Sequence, residues 1–443
     1  MILNFLKKIL SKRLFLWQVL MLFVIFCVLA IVYGSIVRHV VLGGNKFGKL
    51  SPIINELSMV ISNVFKIIDP YKSFKTNKKN AKEFNKPKLE LSEIYQNSLE
   101  EDYILISRYD GEKKRSIVEL FDIKNNQIIH QWQPDINKIN SFSKLNKKYI
   151  NLQTDFSNNR YNIIHPLLMN DGSILFHGMY SPLIKIDICS NYIWSIDDIF
   201  HHSIEIDNEG NIWTAIADTK TNKIGFLDDY LAKVSQDGRI LDKISISKLL
   251  NNIKYPFTNI YSGNDPIHIN DIQPYISIEE KNSEKFFLSL RNISTIALYD
   301  NKKKEIVWAK QGNWVHQHDV DLLNKQLVIF NNNLDSNKTQ VLDFNEILLI
   351  NKNGEFIKKL YSDQMQKNNI ATITEGLITE INDNNIIVED TKNGRLVKFS
   401  ERNLLWTYTN SFKGDIYRIN WSRSIKKNKV DKIKMQAKKC IQN

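Results

Sequence analysis

The chain has 443 residues, of which 43% are hydrophobic and 24% are charged. These proportions are those of an ordinary globular protein and exclude a disordered or collagen-like chain. The length fits one large all-β unit or two to three domains of average size. Three cysteines are too few for a disulfide framework. Cys189 and Cys440 could pair, but we expect them to remain unpaired.

The positive charge of the chain lies at its two ends. The formal net charge is +12, and residues 1–50 and 421–443 each carry +7, so the residues between them are slightly acidic. A nucleic-acid-binding domain needs a basic patch on its folded body, which argues against a nucleic-acid partner. Basic ends are typical of segments that lie against anionic lipid or are solvated. We therefore predict a basic cytoplasmic N-terminus over residues 1–13 and a basic C-terminal tail over 422–443.

Residues 14–37 form an almost wholly apolar run that is long enough to span a bilayer as one helix. Four basic residues precede it within residues 7–13, and the basic residues that follow are sparser. The positive-inside rule therefore places the N-terminus in the cytoplasm and the rest of the chain outside. A cleaved signal peptide is the alternative, but the run exceeds the usual apolar segment and no A-x-A site ends it. We expect a retained single-pass anchor.

Residues 38–100 form a juxtamembrane segment and linker. Residues 43–49 nearly spell a phosphate-binding loop, but Leu50 replaces the Ser or Thr that would coordinate magnesium. Residues 52–68 have the apolar spacing of a short amphipathic helix. The Lys-rich residues 69–90 are typical of a linker.

From about residue 102 the periodicity is that of strands, and turn signals such as Asp110-Gly111 separate the runs. A unit of about 50 residues recurs, and in several units an outer strand ends in tryptophan. This pattern predicts an all-β fold, a six-bladed β-propeller over residues 101–421, with each tryptophan packing against the next blade. A pair of β-sandwiches is the alternative, but it does not predict histidines at matching places. The units cover residues 102–132, 165–194, 202–241, 268–308, 318–357 and 376–406.

Polar residues at the starts of the units are the candidate site, because the first strand of each blade lines the central funnel. They are His201 and His202, His268 and Asn270, His316 and His318, and Arg291. Alternation along a strand predicts that His268 and Asn270 share a face, and likewise His316 and His318. Imidazole and guanidinium N–H groups around one point would bind a tetrahedral oxyanion. A neutral imidazole could also attack as a nucleophile.

At these residues the chain resembles the bacterial arylsulfotransferases, which need no nucleotide sulfate donor. The resemblance covers roughly residues 150–410. It rests on His201-His-Ser-Ile-Glu followed by Gly210-Asn211, on His268-x-Asn270, on Ser289-Leu-Arg-Asn-Ile-Ser-Thr-Ile296, and on Trp314–Leu322 with its Gln-His-Asp core. It implies a six-bladed propeller in the periplasm, without a cofactor or metal. The family is usually soluble there or a lipoprotein, so the retained anchor, which we place in the bacterial inner membrane, is a departure from it. No pattern indicates an oligomeric state.

The resemblance also implies roles for individual residues. A sulfuryl group would move from an aryl sulfate donor to a phenolic acceptor through a sulfohistidine at His318. His268 and Arg291 would hold the sulfuryl oxygens, and Asn270 would orient donor and acceptor. His202 would complete the site and assist proton transfer. Apart from the resemblance, which assigns His316 no role, we expect His201 and His316 to support substrate binding. The chain departs from the family at Ser203, where an aspartate is expected, and at the additional His316.

Two other functions fit parts of the pattern. A histidine-rich funnel could bind zinc or copper, although Arg291 would oppose a cation there. The chain could also be a membrane-tethered binding or scaffold propeller without catalysis. Of the remaining polar residues, we expect His165 and His177 to be structural, and Asp319 and Asp321 to bond backbone amides.

Overall fold

The computed structural model describes residues 15–41, 50, 75, 85–143, 157–218, 227–260, 265–275, 284–323, 326–336, 338–382 and 385–441. The chain divides into two compact units, residues 1–69 and 70–443. The near-phosphate loop at 43–49 and the helix predicted at 52–68 lie outside the described residues, as does most of the linker.

The N-terminal unit contains one long helix, α1 (Leu16–Val41), of 26 residues. Its residues from Leu16 to Val37 are apolar enough to cross a membrane. The unbroken run of apolar side chains forms no amphipathic face, so nearly every large side chain of the helix is exposed. The predicted apolar helix is confirmed. Its length and composition fit a membrane anchor or a signal sequence near the N-terminus.

The second unit is built from antiparallel strands. The strands up to residue 245 are β1 (Lys88–Leu91), β2 (Tyr103–Asp110), β3 (Arg115–Asp122), β4 (Gln127–Trp132), β5 (Ile164–Leu168), β6 (Ile174–His177), β7 (Ser181–Ile186), β8 (Tyr192–Ile206), β9 (Ile212–Asp218), β10 (Asp228–Val234) and β11 (Ile240–Ser245). The later strands are β12 (Ile269–Tyr275), β13 (Lys285–Leu290), β14 (Thr295–Asp300), β15 (Glu305–Gln311), β16 (Asp319–Leu323), β17 (Gln326–Asn331), β18 (Glu346–Ile350), β19 (Phe356–Leu360), β20 (Leu377–Asn382), β21 (Asn385–Asp390), β22 (Arg395–Ser400), β23 (Leu404–Thr409), β24 (Ser411–Phe412), β25 (Asp415–Ile416) and β26 (Arg423–Ser424).

Short helices lie between the sheets. They are α2 (Glu93–Gln96), α3 (Ile136–Asn140), α4 (Ile246–Asn252), α5 (Phe257–Ile260), α6 (Ser362–Lys367) and α7 (Lys427–Ala437), with 3-10 turns at Thr391–Asn393 and Lys438–Ile441. Ser92, Asp135 and Ser245 cap three of them by accepting an N–H from the first turn.

The strands form consecutive meanders in a propeller-like arrangement. The sheets run β26-β2-β3-β4, β12-β13-β14-β15, β16-β17-β18-β19 and β1-β23-β22-β21-β20, while β5 to β11 form one sheet of seven strands. The all-β, propeller-like fold is confirmed. The count of six blades is not, because four sheets have the form of single blades and the seven-stranded sheet is continuous.

Tryptophans at the sheet edges connect consecutive sheets, as the sequence predicts. The Trp132 indole donates to the Gly172 carbonyl at 3.1 Å. A Cβ added to Gly354 would lie 2.8 Å from the Trp308 ring, and this glycine has a φ of +77°. Only glycine combines that backbone with so close an aromatic neighbour.

The C-terminal segment is folded onto the sheets. Strand β26 pairs with β2, so the last residues complete the first sheet. Val430 and Ile433 of α7 are fully buried in the same hydrophobic cluster as Trp132. The predicted basic tail is therefore a closing strand followed by a packed helix, since its lysines alternate with these apolar residues.

A disulfide joins Cys189 to Cys440, with Cα atoms 5.3 Å apart. The expectation that both remain unpaired is wrong. The two residues are 251 positions apart in the sequence, and the packing of α7 brings them together. Cys27 in α1 is free.

Candidate active site

Histidines at or near the starts of the predicted repeat units have an unusual backbone conformation. His165, His202, His268 and His316 all have left-handed backbones, with φ values of 49°, 57°, 51° and 57°. This region is uncommon for residues other than glycine, although asparagine, aspartate and histidine adopt it more often than the rest, and it persists at functional sites where the surroundings enforce it. Register shifts lie at or beside His165, His202 and His268. His268 precedes β12, and His316 and His318 precede β16, so regular strand alternation does not set their directions. A shared face for His268 and Asn270, and for His316 and His318, stays a prediction.

Three of the predicted histidines contact one another. The ring centroids of His202 and His268 are 4.6 Å apart in an edge-to-face arrangement. His201 lies 5.2 Å from His202 and 6.1 Å from His268 by the same measure. The starts of separate units therefore converge, as the sequence predicts.

Arg291 connects this cluster to His318. Its Nη1 lies 3.4 Å from His318 Nε2, and its backbone N–H donates to the His268 carbonyl at 3.1 Å. It stands at the turn between β13 and β14, a turn that opens toward the same end of the sheets as the unit starts. We call His202, His268, Arg291 and His318 the cage.

His318 is buried, with 1% of its surface exposed, and a hydrogen bond at Nδ1 fixes its ring. Its Nδ1 lies 2.9 Å from Asn332 Oδ1. The Asn332 amide nitrogen donates to the carbonyls of Thr372 and Glu375, which leaves its oxygen facing the imidazole. An amide oxygen only accepts, so Nδ1 carries the proton and Nε2 presents its lone pair toward Arg291.

Burial and the guanidinium keep His318 neutral. Burial lowers the pKa of His318 well below the ordinary 6.5, and Arg291 lowers it further. A neutral imidazole whose Nε2 carries no proton is a competent nucleophile at neutral pH.

His268 has a different partner. Its Nδ1 lies 2.5 Å from Asp265 Oδ2, and its Nε2 is buried without a hydrogen-bond partner among the described residues. Burial lowers the pKa of His268 well below its usual value, Arg291 lowers it further, and Asp229 opposes the shift.

The pair His201 and His202 forms a buried chain. The two Nδ1 atoms are 2.9 Å apart, and His201 Nε2 lies 3.2 Å from Asp229 Oδ1. The His202 carbonyl bonds to His177 Nε2 at 2.6 Å, which agrees with a structural role for His177. Burial, followed by His268, lowers the pKa of His202. His201 therefore lies between His202 and Asp229 and holds the His202 ring in place.

Asn270 and His316 complete the predicted set. The Asn270 amide nitrogen donates to the Gln317 carbonyl at 2.8 Å, and its oxygen is buried without a partner among the described residues. Burial, then Lys338 and Arg291, lower the pKa of His316 to about 3. His316 is therefore a neutral ring close to the positive charges of Lys338 and Arg291.

The carboxylates that follow the site residues bond backbone amides. Asp319 Oδ2 accepts from the Ile378 N–H at 2.7 Å, as expected for this residue. Asp271 accepts from the Val320 N–H at 3.1 Å and from the Ser203 hydroxyl at 3.0 Å. Ser203, the departure from the family pattern, thus serves the contact between sheets.

Sequence reasoning missed three residues at the site, namely Asn332, Asp265 and Tyr180. The Tyr180 ring lies 5.3 Å from the His201 ring. Asn332 sits in the run Asn331-Asn-Asn333, which looks like an ordinary turn, and Asp265 sits before the unit rather than in it. Only the three-dimensional contact distinguishes them.

No group of three or more His, Cys, Asp or Glu side chains in the described part of the chain has a geometry that could hold a metal ion. Arg291 lies among these histidines, and its positive charge opposes the binding of a metal cation.

A family model described as Arylsulfotransferase (ASST) matches residues 165–411, more than half of the chain. The chain belongs to the arylsulfotransferase family. It is therefore an arylsulfotransferase enzyme, and the family implies aryl sulfates and phenols as substrates. The matched segment contains every predicted site residue of this arylsulfotransferase.

Comparison with other proteins adds little to this assignment. A protein of unknown function from Bacteroides caccae gives a TM-score of 0.49 at 10% identity, covering 74% of this chain and 100% of that one. The Cps50 (Swd1) β-propeller domain from Myceliophteria thermophila gives 0.41 at 7% identity, covering 75% and 100%. Structural similarities this weak do not assign a function to this arylsulfotransferase. No curated protein matches its sequence.

Asn332→Ala removes the acceptor that fixes the His318 tautomer. We expect kcat/KM for an aryl sulfate to fall about 10- to 100-fold, the usual cost of losing a partner that orients a functional histidine. Steady-state kinetics and the melting temperature are measured together. The matched control is Asn393→Ala, because that amide bonds to Asp390 rather than to a histidine. Equal losses in the two variants, or an unchanged Asn332→Ala enzyme, would contradict the orienting role.

Proposed function

We propose that this arylsulfotransferase moves a sulfuryl group from an aryl sulfate to a phenol through a sulfohistidine on His318, without a nucleotide donor or cofactor. The observation that carries the proposal is the pairing of His318 Nε2 with Arg291 Nη1 at 3.4 Å. Behind it, Asn332 holds Nδ1. The proposed nucleophile and a fixed cation therefore lie side by side, where one sulfuryl group could contact both.

In the first half-reaction, His318 Nε2 attacks the sulfur and the phenolic oxygen leaves with the electron pair of the S–O bond. Phenols have a pKa near 10, so the phenolate is a moderate leaving group. In the second half-reaction, the acceptor phenol attacks the sulfur and the N–S bond breaks. One site serves both halves, which is ping-pong kinetics.

The cage holds the sulfuryl oxygens. Arg291 supplies a permanent charge, and His268 and His202 supply ring nitrogens within contact of each other. Burial removes competing water, so these donors act more strongly on an anion than they would in solvent. Asn270 orients donor and acceptor, while His201 and His316 support the substrate-binding surface.

The test is trapping of the intermediate. The purified enzyme is incubated with an aryl sulfate without acceptor, and we expect His318 to gain the mass of a sulfuryl group that a phenol then removes. His318→Asn should lose at least about 1,000-fold in kcat, as losing a nucleophile does. The control is His130→Asn, because His130 on β4 bonds only to the Ile188 carbonyl in the described contacts. A label on another residue, or full activity of His318→Asn, would refute the proposal.

We infer that the propeller has six blades. The support is β8, whose 15 residues pair with β7 up to Phe200 and with β9 from Phe200 onward. Strand β8 thus acts as the outer strand of one four-stranded set and the inner strand of the next. Six radial sheets in an experimental density map are the expected result, and any other number would overturn the count.

We also propose that α1 anchors the enzyme in the bacterial inner membrane with the propeller in the periplasm. The basic residues before α1 and the Cys189–Cys440 disulfide support this, since disulfides persist in oxidising compartments.

Carbonate extraction of membranes and thiol labelling of the denatured protein test this location. We expect the protein to resist carbonate extraction from membranes, and Cys189 and Cys440 to react with a thiol reagent under denaturing conditions only after reduction. Cys27 in α1 is the internal control and should react without reduction. Soluble protein trimmed after the apolar run, or two reduced cysteines in the sheet unit, would contradict the location.

A further inference from the structure

Two buried histidines of the cage have chemically different partners at Nδ1. His318 faces a neutral amide oxygen, Asn332 Oδ1, at 2.9 Å. His268 faces a carboxylate oxygen, Asp265 Oδ2, at 2.5 Å. Because Nδ1 is bonded in both rings, Nε2 is the ring atom that faces the site. His318 Nε2 lies beside Arg291, and His268 Nε2 has no partner among the described residues.

The partner decides which protonation states a ring can adopt. A carboxylate stabilises an imidazolium by direct charge pairing, whereas an amide oxygen offers only a dipole. A histidine held by a carboxylate therefore exchanges a proton readily, and a histidine held by an amide is better suited to remain neutral.

We propose that Asp265 and His268 form the acid–base pair of the transfer, with Asp265 as the positioning residue and His268 Nε2 as the carrier of the phenolic proton. The inference rests on the proposed function, because it assigns the proton step of that same reaction. It gives His268 a task beyond holding a sulfuryl oxygen.

The proton and electron pairs balance in both halves. As the N–S bond to His318 forms, the S–O bond of the donor breaks and the phenolic oxygen takes the proton of His268 Nε2. His268 is then neutral, with its Nδ1–H still directed at Asp265. The acceptor phenol returns a proton to His268 Nε2 as its oxygen attacks sulfur, and the electron pair of the N–S bond returns to His318.

The empty cage disfavours the charged form of His268, because burial and Arg291 both lower its pKa. A sulfate ester that binds between these groups neutralises the field of Arg291. The ring then gains a proton together with the donor, with the Asp265 carboxylate on one side and the ester anion on the other. Neutral His268 remains the stable form whenever the cage is empty.

His202 is the competing proton carrier, and its geometry is less suitable. Its Nδ1 meets the Nδ1 of His201 at 2.9 Å, and not a carboxylate oxygen. The nearest carboxylate, Asp229, lies beyond His201 and already accepts the Ile269 N–H at 2.7 Å. The direct carboxylate belongs to His268 alone among the cage histidines in the described part of the chain.

The experiment compares donors whose phenols differ in acidity. A strongly acidic nitrophenol leaves without a proton, whereas a phenol with a pKa near 10 needs one. For Asp265→Asn we expect kcat/KM to fall about 100-fold or more with alkylphenyl sulfates and less than about threefold with nitrophenyl sulfates. Asp265→Glu, which keeps a carboxylate, should restore most of the difference.

Glu389→Gln is the matched control, because it removes a buried carboxylate that accepts a backbone N–H and bonds to no histidine in the described contacts. It should change kcat/KM by the same factor for every donor. An equal loss across all donors in Asp265→Asn, or a steeper dependence on phenol acidity in Glu389→Gln, would overturn the assignment. Trapping of the sulfuryl group on His318 with a nitrophenyl donor separates the two proposals, since its failure in the parent enzyme would remove the proposed function itself.

Discussion

Buried carboxylates that accept backbone N–H groups from the next sheet hold the inner strands in place. Asp229 accepts from Ile269 N–H at 2.7 Å, and Asp319 accepts from Ile378 N–H at 2.7 Å. Glu389 does the same for Ser422 at 2.6 Å. An amide left unpaired in this buried region would cost on the order of 1–3 kcal/mol. Because Asp319 directly follows His318, the same short stretch bonds to the next sheet and carries the proposed nucleophile.

The electrostatic character of the cage follows from burial. Burial lowers the pKa of His318 and of His268, and Arg291 lowers both further, so both rings are neutral in the empty site. The Arg291 guanidinium keeps its charge there, which favours an anionic ligand such as a sulfate ester over a cation.

The sequence predicts the part of the molecule that repeats. Strand periodicity, turn glycines and recurrent histidines at the unit starts were sufficient for an all-β propeller-like fold and for the convergence of His202, His268 and Arg291 with His318. The partners that tune these residues were not predictable, because Asn332 and Asp265 belong to irregular loops without periodicity. The pairing of Cys189 with Cys440 depends on how α7 packs, and no local pattern encodes a contact over 251 positions.

Closure of the first sheet by β26 has a consequence for biosynthesis. The strand that completes β2 is supplied by residues 423–424 of a 443-residue chain, and Trp421, just before it, stacks on His165 with ring centroids 3.8 Å apart. The first sheet therefore stays incomplete during synthesis until residues 423–424 have emerged. A product that ends before Trp421 leaves the edge of β2 unpaired and removes the ring that stacks on His165.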